Sequence, residues 1–384
     1  MSRKIAVYSL LSATFGIVFP FYVSGLLVVI ALVAMLVDQR KLIFTRLKTI
    51  GWLGVFIVFA GVNAALNRHW IGAMIAVAMF LFAIFFNVVR QYMTLELYQC
   101  CLKLLSLGNI VAGSIACWNY MSYLRKHAQA WTYILTDPSP RFRAESTFFN
   151  ANYYGMFCLF VLVIHLYLWQ KKPTKLWRFV YIISSFLAVI GLILTASRMV
   201  YLALAAAIVW FILSLDKRWL KWTLIGSVVV VAIIIAKPTL LPRMSSLQHA
   251  VDDRLALWQT GWQIFIRNPL LGRGPLSYVK YYYLFDTKAA MHSHQLLIEM
   301  LGNYGLYGLF LLTIAVTPFI RRMVAAYQNP SVRQEWSLAT SAIVIVLVHG
   351  LTDVSVFWLQ TGYVFLVLLL PFYTEGMVTH DTTS

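Results

Sequence analysis

The residues best suited to chemistry lie in a polar segment between two apolar runs, from Lys237 to His294. The segment ends in His292-Ser-His294-Gln295, and a neutral imidazole near pH 7 can take a proton from a hydroxyl group. Arginine guanidinium groups match phosphate oxygens bidentately. The segment therefore predicts a site for an anionic substrate. Its cations are Arg243, Arg254, Arg267, Arg273 and Lys280.

Two other polar stretches border apolar runs. One is the segment from Arg143 to Gly155, in which Asn150 and Asn152 precede a run and can cap free N–H groups there. The other is Thr195-Ala-Ser-Arg198, between two runs. Each has a structural alternative, namely a helix cap with an interfacial tyrosine belt for the first and a snorkelling arginine for the second.

The composition decides what must position these residues. The chain has 384 residues, of which 61% are hydrophobic and only 11% are charged, whereas soluble domains are about a quarter charged. Apolar runs of about 20 residues recur along the whole chain, as membrane-spanning helices require. Open sheets cannot face lipid. The sequence therefore predicts an all-α polytopic membrane protein, 1–384 being a single integral membrane domain.

We predict about twelve transmembrane helices. The first apolar region is broken at Pro20 into two helices, with a single kinked helix as the alternative. If the N-terminus is cytoplasmic, every basic cluster in a short loop is cytoplasmic too, as the positive-inside bias predicts, and so is the C-terminus. The predicted spans are 5–20, 22–37, 49–66, 70–89, 104–124, 153–169, 176–196, 199–215, 219–236, 296–320, 337–351 and 357–373.

This topology leaves two long outer segments, 125–152 and 237–295. The second is predicted to be a large extracytoplasmic loop that contains short helices and carries part of the active site; in it Arg254 and Trp258 share a helix face. Both segments are basic, in a chain of formal net charge +18. Their arginines are either peripheral or line a phosphate-binding cavity on the outer side.

The sequence argues against several other kinds of site. No Walker-type loop, dinucleotide fingerprint or hydrolase serine elbow occurs. No cysteine or acidic residue lies at metal-ligand spacing from His292 and His294, so no metal site and no cofactor are predicted. His349 and Asp353, four residues apart, could pair on one helix face either as a functional pair or as a structural contact.

The motifs resemble those of the O-antigen ligase and O-antigen polymerase superfamily of bacterial membrane glycosyltransferases. Members have an arginine, then Gly-Thr-Phe and Asn-Pro-Asn before a span, where this chain has Arg143, Ser146-Thr-Phe148 and Asn150-Ala-Asn152. A Ser-Arg step matches Ser197-Arg198. The family's Arg-x-x-x-Trp and Pro-Leu-Leu-Gly-x-Gly match Arg254 to Trp258 and Pro269 to Gly274.

The ligase signature is His, then Asn, Ser or Gln, nine residues, Gly, two residues, and Gly, Thr or Tyr. His294-Gln295 followed by Gly305 and Gly308 fits it, which favours His294 over His292 as the catalytic residue. Departures are Ser146 for Gly, Ala151 for Pro, and Asn303 where an acidic residue is common. These departures leave the subfamily open.

The resemblance implies glycan transfer from an undecaprenyl-pyrophosphate-linked donor, without a metal, on the outer face of the bacterial inner membrane. In this interpretation Arg198 and Arg254 hold the pyrophosphate and His294 deprotonates the acceptor hydroxyl. Further substrate-binding candidates are Arg143, Asn150, Asn152 and Arg273. The partners are the lipid-linked donor, a glycan or lipid A core acceptor and membrane lipid, with no nucleic acid.

The acceptor distinguishes a polymerase from a ligase of surface polysaccharide, and both remain open. A different class of function is a lipid-linked oligosaccharide flippase. Transporters place ionisable residues and broken helices near the membrane midplane, often in two related halves. In this chain the charges concentrate in the predicted outer loops and no halves repeat, which favours the glycosyltransferase.

Overall fold

The computed structural model describes residues 3–38, 50–223, 225–226, 247–285, 287 and 289–373. Within these ranges the chain forms helices and loops with no β-strand, as predicted. Seven of the helices are long and apolar enough to cross a membrane, and two shorter apolar helices span Gly51–Leu66 and Leu359–Phe372. The fold is thus all-α and polytopic, while the number of twelve spans stays a prediction.

Each predicted span but one overlaps an α-helix of the structure. The exception is the predicted span 219–236, most of which lies outside the described residues, as do 237–246 of the predicted outer loop with Arg243. The α-helices in chain order are α1 (Arg3–Gly16), α2 (Phe21–Asp38), α3 (Gly51–Leu66), α4 (Trp70–Tyr92), α5 (Leu95–Lys126), α6 (Tyr133–Thr136), α7 (Ala151–Gln170), α8 (Lys175–Thr195), α9 (Arg198–Leu215), α10 (Leu247–Ile266), α11 (Ser277–Tyr281), α12 (Leu296–Ala326), α13 (Arg333–His349) and α14 (Leu359–Leu369).

The break at Pro20 separates two helices, as predicted, and does not kink a single one. Helix α1 ends at Gly16, and α2 starts at Phe21, directly after the proline. Proline has no N–H to donate within a helix, which makes it suitable only for a helix start. The two helices then pack against each other, and the Ser24 hydroxyl donates to the Phe19 carbonyl (2.8 Å) in the turn between them.

Helix α7 lies at the centre of the bundle. Most of its side chains are buried, because it packs against α5, α8, α9, α13 and α14. At its C-terminal end, Glu335 of α13 accepts hydrogen bonds from Lys171 (2.9 Å) and from the Tyr167 hydroxyl (2.8 Å). This partly buried ion pair links the end of α7 to α13. The opposite ends of both helices carry the polar residues of the predicted site.

Helix α12 is interrupted at Gly305, which has a left-handed φ of 62°. The loop Pro269–Gly274 docks into this break. The Pro269 carbonyl accepts from the Leu306 N–H (2.8 Å), and the Gly274 N–H donates to the Asn303 carbonyl (2.7 Å). Irregular backbone at membrane depth is tolerated only where protein supplies such partners, so the loop satisfies groups that the broken helix frees.

Both glycine motifs of the sequence are explained by this docking. A Cβ atom on Gly272 would lie 2.5 Å from the Gly305 nitrogen, and a Cβ on Gly305 would lie 2.5 Å from the Gly272 nitrogen. No real side chain tolerates such an approach. The Pro-Leu-Leu-Gly-x-Gly motif and Gly305 of the ligase signature therefore form the two sides of one backbone contact.

Candidate functional site

Asp353 lies at the centre of the candidate site, in the loop between α13 and α14. Its carboxylate is buried. One oxygen, Oδ2, accepts from Asn152 Nδ2 (2.5 Å) and lies 3.1 Å from His294 Nδ1. The other oxygen accepts from the Val354 N–H (2.8 Å) and the Ser355 hydroxyl (2.9 Å). Every hydrogen-bonding position of the carboxylate thus faces a donor.

These donors keep Asp353 ionised. Burial by itself raises the pKa of a carboxyl group, but the hydrogen bond from His294 and the charges of the neighbouring imidazoles outweigh it. The result is a pKa of Asp353 well below its ordinary value. The buried carboxylate thus presents a negative charge to His294 Nδ1.

His294 is held so that one ring nitrogen is used and the other is left for chemistry. Its Nδ1 faces Asp353, which makes it the nitrogen that carries the hydrogen in the neutral ring. Its Nε2 makes no hydrogen bond within the described part of the chain, and the side chain is 21% exposed. The Trp258 indole N–H donates to the His294 carbonyl (3.3 Å), and Gln295 caps α12 through the Ile298 N–H (2.6 Å).

His292 has a different environment from His294. It is buried, its Nδ1 accepts the backbone N–H of His294 (3.2 Å), and its Nε2 lies 3.4 Å from the Tyr153 hydroxyl. The two imidazole rings meet edge to face, with centroids 4.0 Å apart. Burial lowers the pKa of His292 to about 4. His292 is therefore neutral at pH 7 and supports the backbone that carries His294.

This arrangement predicts a pH dependence of stability. An unfolded histidine titrates near 6.5 and folded His292 near 4, so the unfolded chain binds more protons between these values. The stability that neutral His292 contributes is complete above pH 6.5 and is lost as the pH falls towards 4. We expect the thermal unfolding temperature of the detergent-solubilised protein to fall across this window.

His292→Gln is the control variant, because glutamine is uncharged at every pH in the window. Its unfolding temperature should fall less between pH 6.5 and 4 than that of the wild type. Asp353 does not interfere, since its pKa lies below the ordinary 3.8 and its own contribution is lost only at more acidic pH. An equal fall in both proteins would contradict the assignment to His292.

One argument from the sequence is wrong. The sequence shows no acidic residue at metal-ligand spacing from the two histidines, yet Asp353 joins them in space, and ligand atoms of His292, His294 and Asp353 lie within 4.8 Å of one another. These three residues could hold a metal ion. Two contacts oppose it: Asp353 Oδ2 already accepts from Asn152, and the Arg254 guanidinium lies 4.0 Å from the same oxygen.

An arginine-lined cavity of about 360 Å³ adjoins Asp353. Arg198 enters it from the start of α9 and Arg254 from α10. Arg254 is anchored by a hydrogen bond to the Thr352 carbonyl (2.5 Å). The cavity is large enough for a small anionic group, and three of its walls carry cations. Its lining residues include Arg143, Asn152, Arg198, Asp253, Arg254, Trp258, His349 and Asp353.

Arg143 and Asn152 connect the cavity to Asp353. The Arg143 guanidinium donates to Asn152 Oδ1 (2.9 Å) and to the Thr195 carbonyl (2.8 Å). Asn152 in turn donates to Asp353. The sequence motif contains both Arg143 and Asn152, and in the structure Arg143 holds Asn152, which contacts the same carboxylate as His294 and Arg254.

Two other predicted substrate-binding residues lie apart from the cavity. Asn150 caps α7, accepting the Asn152 N–H (2.8 Å). The Arg273 guanidinium lies over the Tyr281 ring, 4.6 Å from its centroid, and the Arg273 N–H donates into the break of α12. In the structure both residues have local structural roles, and neither lines the cavity. Their binding of substrate stays a prediction.

Sequence reasoning did not include Asp353 or His349 among the site residues. Their spacing of four residues had suggested a pair on one helix face, but α13 ends at His349 and Asp353 lies beyond it. Asp353 therefore contacts His294 instead. His349 is buried beside it and lines the cavity, and neither of its ring nitrogens has a hydrogen-bond partner among the described residues.

Aromatic rings from different chain segments meet next to His292. Tyr153 and Trp358 are stacked with centroids 5.1 Å apart, and Phe21 packs edge to face against Trp358 and Phe149. Phe149 is 62% exposed and has a left-handed φ of 66°, a strained conformation for a bulky residue. Such a group of rings offers flat apolar faces beside the histidines, on which a sugar ring can stack.

Comparison with known proteins identifies a region that carries part of this site. The family model described as O-antigen ligase matches residues 183–313, about a third of the chain. No curated protein matches the chain. The matched region contains Arg198, Arg254 and His294, whereas Arg143, Asn152 and Asp353 lie outside it. The match supports a membrane glycosyltransferase-type enzyme in polysaccharide biosynthesis. The match over residues 183–313 supports the resemblance to the O-antigen ligase and O-antigen polymerase superfamily that the motifs predicted.

Proposed function

We propose that this protein transfers or polymerises glycan from an undecaprenyl-pyrophosphate-linked donor during surface polysaccharide biosynthesis. The observation that carries the proposal is the contact between His294 Nδ1 and the buried Asp353 carboxylate, beside the cavity with Arg198 and Arg254. This contact supports His294 as the base and the neighbouring cavity as the anion site. A glycosyl transfer with a pyrophosphate leaving group needs both.

In the proposed reaction the acceptor hydroxyl oxygen attacks the anomeric carbon of the donor sugar. The bond between that carbon and the pyrophosphate oxygen breaks, and its electron pair leaves with the pyrophosphate. The hydroxyl proton passes to His294 Nε2, and the imidazolium that forms is stabilised by Asp353. Arg198 and Arg254 stabilise the charge that develops on the leaving oxygen.

The two substrates approach His294 from different sides in this proposal. The pyrophosphate occupies the arginine cavity, with Arg143 holding Asn152 in place at its wall. The acceptor sugar lies against the aromatic rings of Tyr153 and Trp358 near His292. A second lipid-linked glycan in that position makes the enzyme a polymerase, and lipid A core or another polymer makes it a ligase.

A reconstituted transfer assay tests the proposal and its independence of metal. Purified protein given a polyprenyl-pyrophosphate glycan and an acceptor should turn over in excess EDTA. The physical reason is that the Arg254 guanidinium lies 4.0 Å from Asp353 and already supplies the positive charge that a metal ion would bring to this carboxylate. Loss of activity with chelator, restored by a divalent ion, would assign His292, His294 and Asp353 to a metal site instead.

The proposed reaction takes place on the outer face of the plasma membrane, with both termini in the cytoplasm. Reporter fusions test this topology. A fusion after Gly272 should read extracytoplasmic, because the docking of Pro269–Gly274 into α12 places it near the His294 end of that helix. Fusions near Lys172 and Arg218 should read cytoplasmic. A cytoplasmic reading at Gly272 would overturn the assignment, because donor and acceptor would then meet on the wrong side of the membrane.

A further inference from the structure

A second cavity, of about 270 Å³, lies at the other end of the helix bundle from the arginine cavity. Two helices connect the sites. Helix α12 starts two residues after His294 and reaches the second cavity at Pro318 and Arg322. Helix α14 starts six residues after Asp353 and lines the second cavity with its last turns. The second cavity is therefore separate from the proposed active site.

Two arginines from different helices line this cavity. Arg90 comes from the last turn of α4, and Arg322 comes from α12. The Arg322 side chain makes two long hydrogen bonds in the described structure, to the Pro318 carbonyl (3.4 Å) and the Tyr373 carbonyl (3.5 Å). A guanidinium group has five N–H donors. Arg322 thus keeps donor capacity for an anion.

The remaining walls are apolar and aromatic, as a lipid tail requires. They come from α3, α4, α12 and α14, whose ends meet around the cavity, and include Trp52, Phe86, Ile314, Phe319 and Leu366. A small soluble anion would gain nothing from these walls. An anionic phospholipid fits both features, because its phosphate meets the arginines while an acyl chain lies between the helices.

The position of the cavity along the membrane agrees with this ligand. By the predicted topology, the C-terminal ends of α4, α12 and α14 and the start of α3 face the cytoplasm. Anionic lipids of the cytoplasmic leaflet are attracted to basic groups there, and basic pockets between transmembrane helices bind their headgroups. We propose that this cavity binds an anionic phospholipid of the cytoplasmic leaflet, with Arg90 and Arg322 on its phosphate.

The lipid in this position braces the second half of α12. That half follows the break at Gly305 and has no continuous helical hydrogen bonding to the first half. A lipid held between Arg322 of α12, Arg90 of α4 and the end of α14 links three helices on the cytoplasmic side. Lipid binding should therefore raise the thermal stability of the whole protein.

Native mass spectrometry of the full-length protein in detergent tests this site. Phosphatidylglycerol and phosphatidylcholine with the same acyl chains are titrated separately into delipidated protein. We expect the wild type to retain phosphatidylglycerol preferentially. Arg322→Ala should lower its apparent affinity about tenfold, which is about 1.4 kcal/mol, and Arg90→Ala combined with Arg322→Ala should lower it further.

Arg321→Ala is the matched control, since Arg321 is the neighbouring residue on α12 but is exposed and does not line the cavity. It should bind phosphatidylglycerol as the wild type does. Ala315→Phe fills the cavity without changing the charge and should also lower the affinity. Because Arg322→Ala can destabilise the protein, Arg322→Lys provides a second variant. Its affinity for phosphatidylglycerol should lie between those of Arg322→Ala and the wild type.

Three results would overturn the proposal. Equal retention of phosphatidylglycerol by the Arg321→Ala and Arg322→Ala variants would show that the cavity is not the binding site. Equal retention of phosphatidylcholine and phosphatidylglycerol by the wild type would remove the role of the anionic headgroup. Stabilisation by inorganic phosphate equal to that by phosphatidylglycerol would assign the arginines to a free anion.

Discussion

Replacing His294 with alanine is expected to lower the turnover of glycan transfer by about 10²–10⁴-fold, while the lipid-linked donor still binds. The reason is that the acceptor hydroxyl loses the base that takes its proton, whereas the arginine cavity stays intact. Transfer assays on membranes that hold equal amounts of each variant, together with donor-binding measurements, separate the two effects.

Asp353→Asn and His292→Ala sharpen this experiment. Asparagine keeps the size of the side chain but removes the charge that stabilises the imidazolium, so turnover should fall at least about tenfold with donor binding retained. His292→Ala should be much milder, because His292 supports His294 through its backbone N–H and its ring but takes no proton in the proposed reaction. Nearly normal product from His294→Ala would exclude histidine base catalysis and leave the arginines as the main catalytic contribution.

Replacing the arginines of the cavity should have the second largest effect on glycan transfer. Arg198→Ala and Arg254→Ala should each weaken donor binding about 10- to 100-fold and lower turnover as well, because each removes charge-assisted hydrogen bonds worth about 1.5–3 kcal/mol. Lysine at either position should restore function only partly, since it lacks the planar fork of arginine. Donor titrations at equal protein levels measure both quantities.

Arg273→Ala is the control that the structure provides for this series. Arg273 belongs to the same polar segment, but its guanidinium lies over Tyr281 and does not line the cavity. We expect the Arg273→Ala variant to bind the lipid-linked donor with the affinity of the wild type. A loss of donor affinity in Arg273→Ala as large as in Arg254→Ala would show that the pyrophosphate binds outside the cavity.

Much of the fold could be predicted because the rules for helices in lipid depend on local sequence. Hydrocarbon forces each span to satisfy its own backbone, so apolar runs become helices, and the predicted breaks at Pro20 and around Ser197 occur where the structure has them. Asn150 was identified as a possible helix cap, and it caps α7. These features depend on neighbours within a few residues.

The site depended partly on the order of motifs and partly on packing. The motifs selected Arg143, Asn152, Arg198, Arg254 and His294. In the structure the three arginines line the cavity beside Asp353, and Asn152 and His294 contact its carboxylate. Arg273 belongs to the same motif series, yet it supports the docking of its loop. Spacing in the sequence does not tell which side of a loop faces the cavity, so the two kinds of arginine could not be separated.

What the sequence by itself determined is the all-α membrane fold and the candidate base His294, because composition, run length and motif order are readable along one chain. Only the tertiary structure decided that Asp353 is the partner of His294. Asp353 follows His294 by 59 residues and reaches it because α13 returns beside α7 and ends at the level of Asn152. The same packing joins the two glycine motifs, since the backbone groups freed at Gly305 find their partners only in the Pro269–Gly274 loop.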